Sequence, residues 1–258
     1  MTDPLTAGNS RVKEARKLSR RSVRTERRLF LADGPKAVEG ALAVPGCVVE
    51  VFATPAAAQQ HDVLLGTAPV TLVDERAMSS LSDSVTPAGL VAVCRFLDNE
   101  RIPTPLLMTI CADVRDPGNA GTVIRTSDAA GADCVVLAGD SVDPYNPKTV
   151  RASVGSLFHV PIEVERDAAT AVRRAQIAGL TVLAADGEGE VDLFAADELL
   201  TRPTAWLFGN EAWGLPPELA ELADHRVRIP ILGAAESLNL ATAAAVCLYA
   251  SARAMMNV

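Results

Sequence analysis

Histidine is scarce in this chain, and aromatic residues make up only 4% of it. His61, His159 and His225 lie far apart, and none stands at ligand spacing from a cysteine or another histidine, so no metal site is expected. The five cysteines (Cys47, Cys94, Cys111, Cys134, Cys247) form no C-x-x-C pair, and their odd number argues against a disulfide framework. Four of them sit in apolar runs and read as buried thiols of a protein kept in a reducing cytoplasm. No apolar run approaches the roughly 18 residues that a membrane span requires. The stretch from Met1 to Ser10 lacks the apolar centre of a secretory signal. A P-loop, a G-x-G-x-x-G after a strand, a G-x-S-x-G and an H-E-x-x-H are all missing. The commonest nucleotide, hydride, serine-hydrolase and zinc-protease chemistries therefore have no motif to rest on.

What is present is an ordinary globular composition with an uneven charge. The 258 residues are 49% hydrophobic and 22% charged, enough for one large or two ordinary domains. Alanine and valine fill the apolar runs. The net charge of −8 argues against a nucleic-acid partner, but its distribution argues for one. Residues 11–28 hold Arg11, Lys13, Arg16, Lys17, Arg20, Arg21, Arg24, Arg27 and Arg28 against only Glu14 and Glu26. A basic block on an acidic body points to a polyanion.

Taken in order, residues 1–10 read as disordered and residues 11–28 as a basic helix. Leu29-Phe30-Leu31-Ala32 then reads as a buried strand, and Pro35 opens a helix. Short strands and helices alternate onward to a strand at 91–96, so residues 29–97 are expected to be a small α/β domain. A polar, proline-stiffened passage from Leu97 to Pro105 marks a boundary. A second α/β unit, residues 105–258, begins with a strand at 106–111 and a helix from Asn119, which reads as its N-cap. Further strands are expected at 159–163, 205–208 and 227–231, and a terminal helix from Ser237.

Three stretches carry polar groups where chemistry is possible. In Asp116-Pro117-Gly118-Asn119-Ala120-Gly121, with Arg125 beyond it, a strand ends and a helix begins. In Asn146-Pro147-Lys148-Thr149-Val150-Arg151, Lys148 and Arg151 are neighbours on a helix, able to hold a phosphate or to stand solvated. In the C-terminal set, Leu207-Phe208-Gly209-Asn210-Glu211, Ile229-Pro230-Ile231 and Ser237-Leu238-Asn239 each follow a strand or open a helix. Ligands of α/β sheets sit outside the carboxyl ends of strands, so these loops can line a pocket for a small molecule with a polar edge.

Together these stretches resemble the SpoU (TrmH-type) branch of the SPOUT RNA methyltransferases. The family's N-x-G-x-x-x-R is matched by Asn119, Gly121 and Arg125. Its strand followed by G-N-E-x-x-G-L is matched by Leu207 to Leu215. Its I-P-I followed by S-L-N-x-x-x-A is matched by Ile229 to Ile231 and Ser237 to Ala243. More loosely, Phe30 to Glu39 is similar to the start of a ribosomal-protein-like substrate-binding domain that many members carry.

The resemblance implies a trefoil-knotted C-terminal domain, a homodimer through that domain and S-adenosylmethionine as cofactor. It implies a cofactor site at Leu207, Gly209, Asn210, Ile229, Ile231, Leu238, Asn239 and Ala243, and a catalytic set of Asn119, Arg125, Glu211, Ser237 and Asn239. The reaction would be methyl transfer to a ribose 2′-hydroxyl of RNA, with 23S rRNA favoured over tRNA. The alternative is a non-catalytic RNA- or S-adenosylmethionine-binding assembly protein. The resemblance gives Arg125 the role of base, yet a guanidinium keeps its proton. Arg125 is therefore expected to clamp the adjacent phosphate, oriented by Glu211 and Asn239, while the proton leaves through phosphate, water or Ser237. Arg16, Arg20, Arg24, Lys36, Lys148 and Arg151 are the expected RNA contacts.

Overall fold

Leu29 to Asp33 is apolar except for its last residue, and in the computed structural model it forms the first strand of a four-stranded sheet. The structure describes residues 3–97 and 104–256, so the expected boundary lies partly outside the described residues. The chain divides into two units. One comprises the residues up to 98 together with 145–159, and the other comprises 99–144 and 160–258. The stretch 145–159 thus departs from the contiguous second domain read from the sequence.

The first unit contains α1 (Ser10–Arg16), α2 (Arg21–Arg27), β1 (Leu29–Asp33), α3 (Pro35–Ala43), β2 (Val48–Ala53), α4 (Pro55–Gln60), α5 (Asp62–Leu65), β3 (Val70–Leu72), α6 (Glu75–Leu81) and β4 (Leu90–Arg95). Its sheet has the order β1-β4-β2-β3, with β4 antiparallel to both neighbours and β2 parallel to β3. The basic segment is not an appendage. Val12, Ala15 and Leu18 are buried against Leu31, Phe52, Val73, Met78 and Val91. A fully buried aliphatic side chain of this kind stabilises by about 1.5–3 kcal/mol. Residues 3–9 are not loose either, because Leu5 runs beside β3, donating to Leu72 O at 2.8 Å and accepting from Asp74 N at 3.0 Å.

The expected single helix over 11–28 is broken. Lys17–Ser19 is a 3₁₀ turn, and Arg20 is extended at φ −91° and ψ 129°. That break orphans carbonyls which a continuous helix would have used. Arg24 supplies the missing donors, with Nη1 2.9 Å from Leu18 O and 2.8 Å from Ser19 O. Arg24 is only 2% exposed, so it braces the helix break and does not present its charge to RNA, contrary to the reading from composition.

The second unit contains β5 (Leu107–Ala112), α7 (Pro117–Ala129) and β6 (Cys134–Ala138). α8 (Pro147–Ser153) follows in the stretch that belongs to the first unit. The second unit resumes with β7 (Ile162–Glu165), α9 (Ala168–Ile177), β8 (Thr181–Ala185), β9 (Val191–Asp192), α10 (Asp197–Leu200), β10 (Thr204–Phe208), α11 (Pro217–Ala220), β11 (His225–Arg228) and α12 (Leu240–Met255). The sheet is parallel throughout, in the order β7-β6-β5-β10-β8-β11-β9. Central strands buried on both faces read as unbroken apolar runs, as Cys134 to Ala138 does.

Several boundaries differ from the sequence reading for identifiable reasons. α7 is capped by Asp116, whose carboxylate accepts from Asn119 N at 2.8 Å, with Pro117 at the first helical position. α12 opens at Leu240, because Asn239 caps it through Ala241 N and Thr242 N. β11 ends at Arg228 and leaves Ile229 to Ile231 in a loop.

All five cysteines are free and buried. Burial pushes the Cys111 and Cys134 thiols up to about 12, so neither is an accessible thiolate at neutral pH. Trp206 is wholly buried and donates its indole N–H to Ser251 Oγ at 2.9 Å, fastening β10 to α12. Ser251→Ala leaves that donor buried and unpartnered. An expected loss of about 1–3 kcal/mol is read as a lower midpoint in chemical denaturation. No described helix is long and apolar enough to cross a membrane.

Candidate active site

Three loops at the carboxyl ends of parallel strands build the site: 113–116 after β5, 209–214 after β10 and 229–239 after β11. Asp113 stands in the left-handed region at φ +58°. Its carbonyl accepts from Asn210 Nδ2 at 2.7 Å and its Oδ1 accepts from Asp140 N at 2.7 Å. Asn210 Oδ1 in turn accepts from Ala212 N at 2.8 Å. Asn210 is therefore spent on pinning the first two loops together, which differs from its expected place among the cofactor contacts. Gly209 is required by close approach, since an added Cβ would lie 2.4 Å from the carbonyl of Gly214.

Across these loops runs a hydrogen-bonded chain of defined polarity. Because Asn239 Oδ1 caps α12, its Nδ2 is left to donate, and it does so to Asn119 Oδ1 at 3.1 Å. Asn119 Nδ2 then donates to Glu211 Oε1 at 3.1 Å, an oxygen that also accepts from Asp116 N at 3.3 Å. The helix cap thus fixes both amide orientations and ends on a carboxylate. Glu211 Oε2 has no hydrogen-bond partner among the described residues.

Arg125 is not joined to this chain. It lies six residues beyond Asn119, which on an α-helix is about 120° around the axis and ~9 Å along it. It is exposed, and its side chain has no hydrogen bond or ion pair among the described residues. Glu211 and Asn239 therefore orient Asn119 rather than Arg125. Ser237 stands exposed in the third loop. From Ile229 to Leu238 the backbone makes no hydrogen bond to the described residues, and Ile231, Leu232 and Leu238 are exposed. Open amides and carbonyls among apolar side chains fit a planar heterocycle with a polar edge. Leu207 is buried in β10 and Ala243 is half-buried in the first turn of α12.

The expected RNA contacts divide by surroundings. Lys13, Arg16, Arg20 and Arg21 are exposed and have no ion-pair partner among the described residues. Lys36 pairs with Glu39 at 2.8 Å. Lys148 is exposed on α8. Arg151 lies 3.5 Å from Asp33 and 3.5 Å from Asp83, so two carboxylates already occupy the guanidinium expected to hold a phosphate.

The family description SpoU rRNA Methylase family matches residues 107–249, and the description MRM3-like substrate binding domain matches residues 9–92. The 23S rRNA (guanosine(2553)-2′-O)-methyltransferase RlmP of Bacillus subtilis is 34% identical over 95% of this chain and 96% of its own length. The 23S rRNA (uridine(2479)-2′-O)-methyltransferase of Streptomyces viridochromogenes is 35% identical over 72% of this chain and 68% of its own. Among solved structures, an AdoMet-bound rRNA methyltransferase from Sinorhizobium meliloti superposes with a TM-score of 0.84 at 33% identity, covering 97% of each chain.

Proposed function

The chain belongs to the SpoU rRNA methylase family, and from that premise we propose that it transfers a methyl group from S-adenosylmethionine to a ribose 2′-hydroxyl of 23S rRNA. The observation that carries the catalytic reading is the directed chain from the α12 cap through Asn239 and Asn119 to Glu211. Ribosomal RNA is favoured over tRNA because relatives aligned across both units are named for 23S rRNA. They are named for different nucleotides, so the target base is left open.

S-adenosylmethionine, when bound, supplies an electrophilic methyl group on a sulfonium. The backbone groups of Leu207, Gly209, Ile229, Ile231 and Leu238, with Ala243 on the helix behind them, would hold it. The chain's own task is to place the hydroxyl and to accept its proton. Glu211 Oε2 is suited to that acceptance, because Oε1 is already fixed by Asn119 and Asp116. Arg125 would clamp the neighbouring phosphate. Within one chain it stands apart from the network, which supports a homodimer as the working form, with the knotted domain as the contact. Arg16 and Arg20, exposed on the N-terminal unit, would meet the RNA backbone. The free thiols fit a cytoplasmic protein.

The test is transfer of labelled methyl from S-adenosylmethionine to unmodified 23S rRNA and, in parallel, to tRNA, followed by ribose-methylation mapping. Incorporation at one 23S rRNA position is expected. None in either RNA would leave a binding protein. In the same assay Glu211→Gln keeps an acceptor toward Asn119 but loses the basic carboxylate. Its kcat is expected to fall on the order of a hundredfold with S-adenosylmethionine affinity unchanged.

A further inference from the structure

Trp213 stands in the Asn210–Gly214 turn, two residues beyond Glu211, with 55% of its surface open to solvent. It takes no part in the chain from Asn239 through Asn119 to Glu211. The turn is held at both ends, by Asn210 N on Gly214 O at 3.0 Å and Gly214 N on Asn210 O at 2.9 Å, and at its middle by Ala212 N on Asn210 Oδ1. Over the indole ring lies Arg115, its guanidinium carbon 5.2 Å from the ring centroid and its Nη2 3.6 Å from Asp140 Oδ2. Arg115 directly precedes Asp116, whose amide holds Glu211. The two loops that fix the carboxylate therefore also present a planar cation beside an exposed aromatic ring.

We propose that Trp213 and Arg115 form a stacking platform for an unstacked base of the RNA strand that carries the target ribose. Single-stranded RNA is held by stacking of splayed bases on aromatic rings and on arginine planes, and every base has the π-face this requires. A cation over the ring adds attraction for the strand's phosphates, and Asp140 keeps the guanidinium in place. A ribose reaches Glu211 only if its base or the neighbouring base finds a seat nearby, and Trp213 is the exposed aromatic on the same turn. The inference rests on the methyltransferase reading for the identity of its ligand.

Trp206 is buried, so exposed tryptophan emission reports on Trp213 alone. Titration with a single-stranded oligoadenylate is expected to quench that emission, and Trp213→Phe removes the signal. In turnover on 23S rRNA, Trp213→Leu is expected to raise KM for RNA about tenfold, the effect of about 1.4 kcal/mol of lost stacking, with kcat within twofold. Trp213→Phe restores KM to within about threefold. Affinity for S-adenosylmethionine, by calorimetry, and mass, by light scattering, stay those of the wild type. An unchanged KM, an absent quench, or a shift in cofactor affinity or mass overturns the platform; a shift in mass would place Trp213 in a contact between copies. The quench needs no turnover, so a wild type that methylates no RNA refutes the methyltransferase reading while the platform is still judged on its own.

Discussion

Methyl transfer by the Arg125→Ala protein is expected to fall below about one-thousandth of wild type, while S-adenosylmethionine binds within a few fold. A guanidinium keeps its charge at any working pH, so Arg125 cannot serve by losing a proton. It serves by meeting negative charge, first on the phosphate beside the ribose and then on the oxygen that becomes an alkoxide. Donors aimed at developing charge in a desolvated site are worth about 10²–10³ in rate each, and a bidentate fork supplies two. The structure gives Arg125 no competing partner among the described residues, and α7 does not depend on it, since the buried face of that helix is Ala120, Gly121, Val123, Ile124 and Ser127. Single-turnover transfer and calorimetry on one preparation separate chemistry from cofactor binding. Turnover within tenfold of wild type would sink the assignment. Arg125→Lys keeps the charge without the fork and is expected to recover only a small part.

Removal of residues 1–28 is expected to abolish cooperative folding of the N-terminal unit, not merely to weaken RNA binding. The deletion takes Val12, Ala15 and Leu18 out of the core and bares Leu31, Phe52, Met78 and Val91. Losses of about 2–5 kcal/mol for a single large-to-small change in a core are already a large share of a domain's stability. The loss is read as a missing unfolding transition in calorimetry. A shortened chain that keeps two transitions would contradict the packing. The test of RNA contact must therefore spare the apolar side of the segment. Charge reversal at Arg16, Arg20 and Arg21 keeps Leu18 buried and Arg24 on its carbonyls. It is expected to weaken RNA binding and to flatten its dependence on salt, since each phosphate contact given up releases fewer counterions.

The fold class was legible because the strands announce themselves as apolar runs between turn residues, as with Leu29 to Asp33 and Thr204 to Phe208. Their ends were less legible, because caps compete. Asp116 and Asn119 are both good cap residues, and the decisive signal was Pro117, whose fixed φ suits a first helical position. Ser237 and Asn239 posed the same choice, and Asn239 takes the cap. β9, two residues long, carries too little pattern to be seen. Arg24 was misread because composition counts charge without regard to orphaned carbonyls. Of the candidate site, Asn119, Glu211 and Asn239 are named by the family resemblance; that they join in one hydrogen-bonded chain, and its order of donation, follow only from coordinates. The pairing of Arg115 with Trp213 spans two loops distant in sequence, and periodicity carries no trace of it.

The strand order also governs how the protein can be made. β5 lies against β10, so the partner of Leu107 is Thr204, and the middle of the parallel sheet cannot close until Thr204 to Phe208 has been synthesised. The N-terminal unit must likewise wait for residues 145–159, which emerge only after α7 and β6. The first unit is thus completed only after the second has begun, although still before β8, β10 and β11 complete the second sheet. That sheet is built from contacts of high sequence separation, the class whose formation is slow. Until β10 has been made, the apolar β5 strand, Leu107 to Ala112, keeps one edge unpaired.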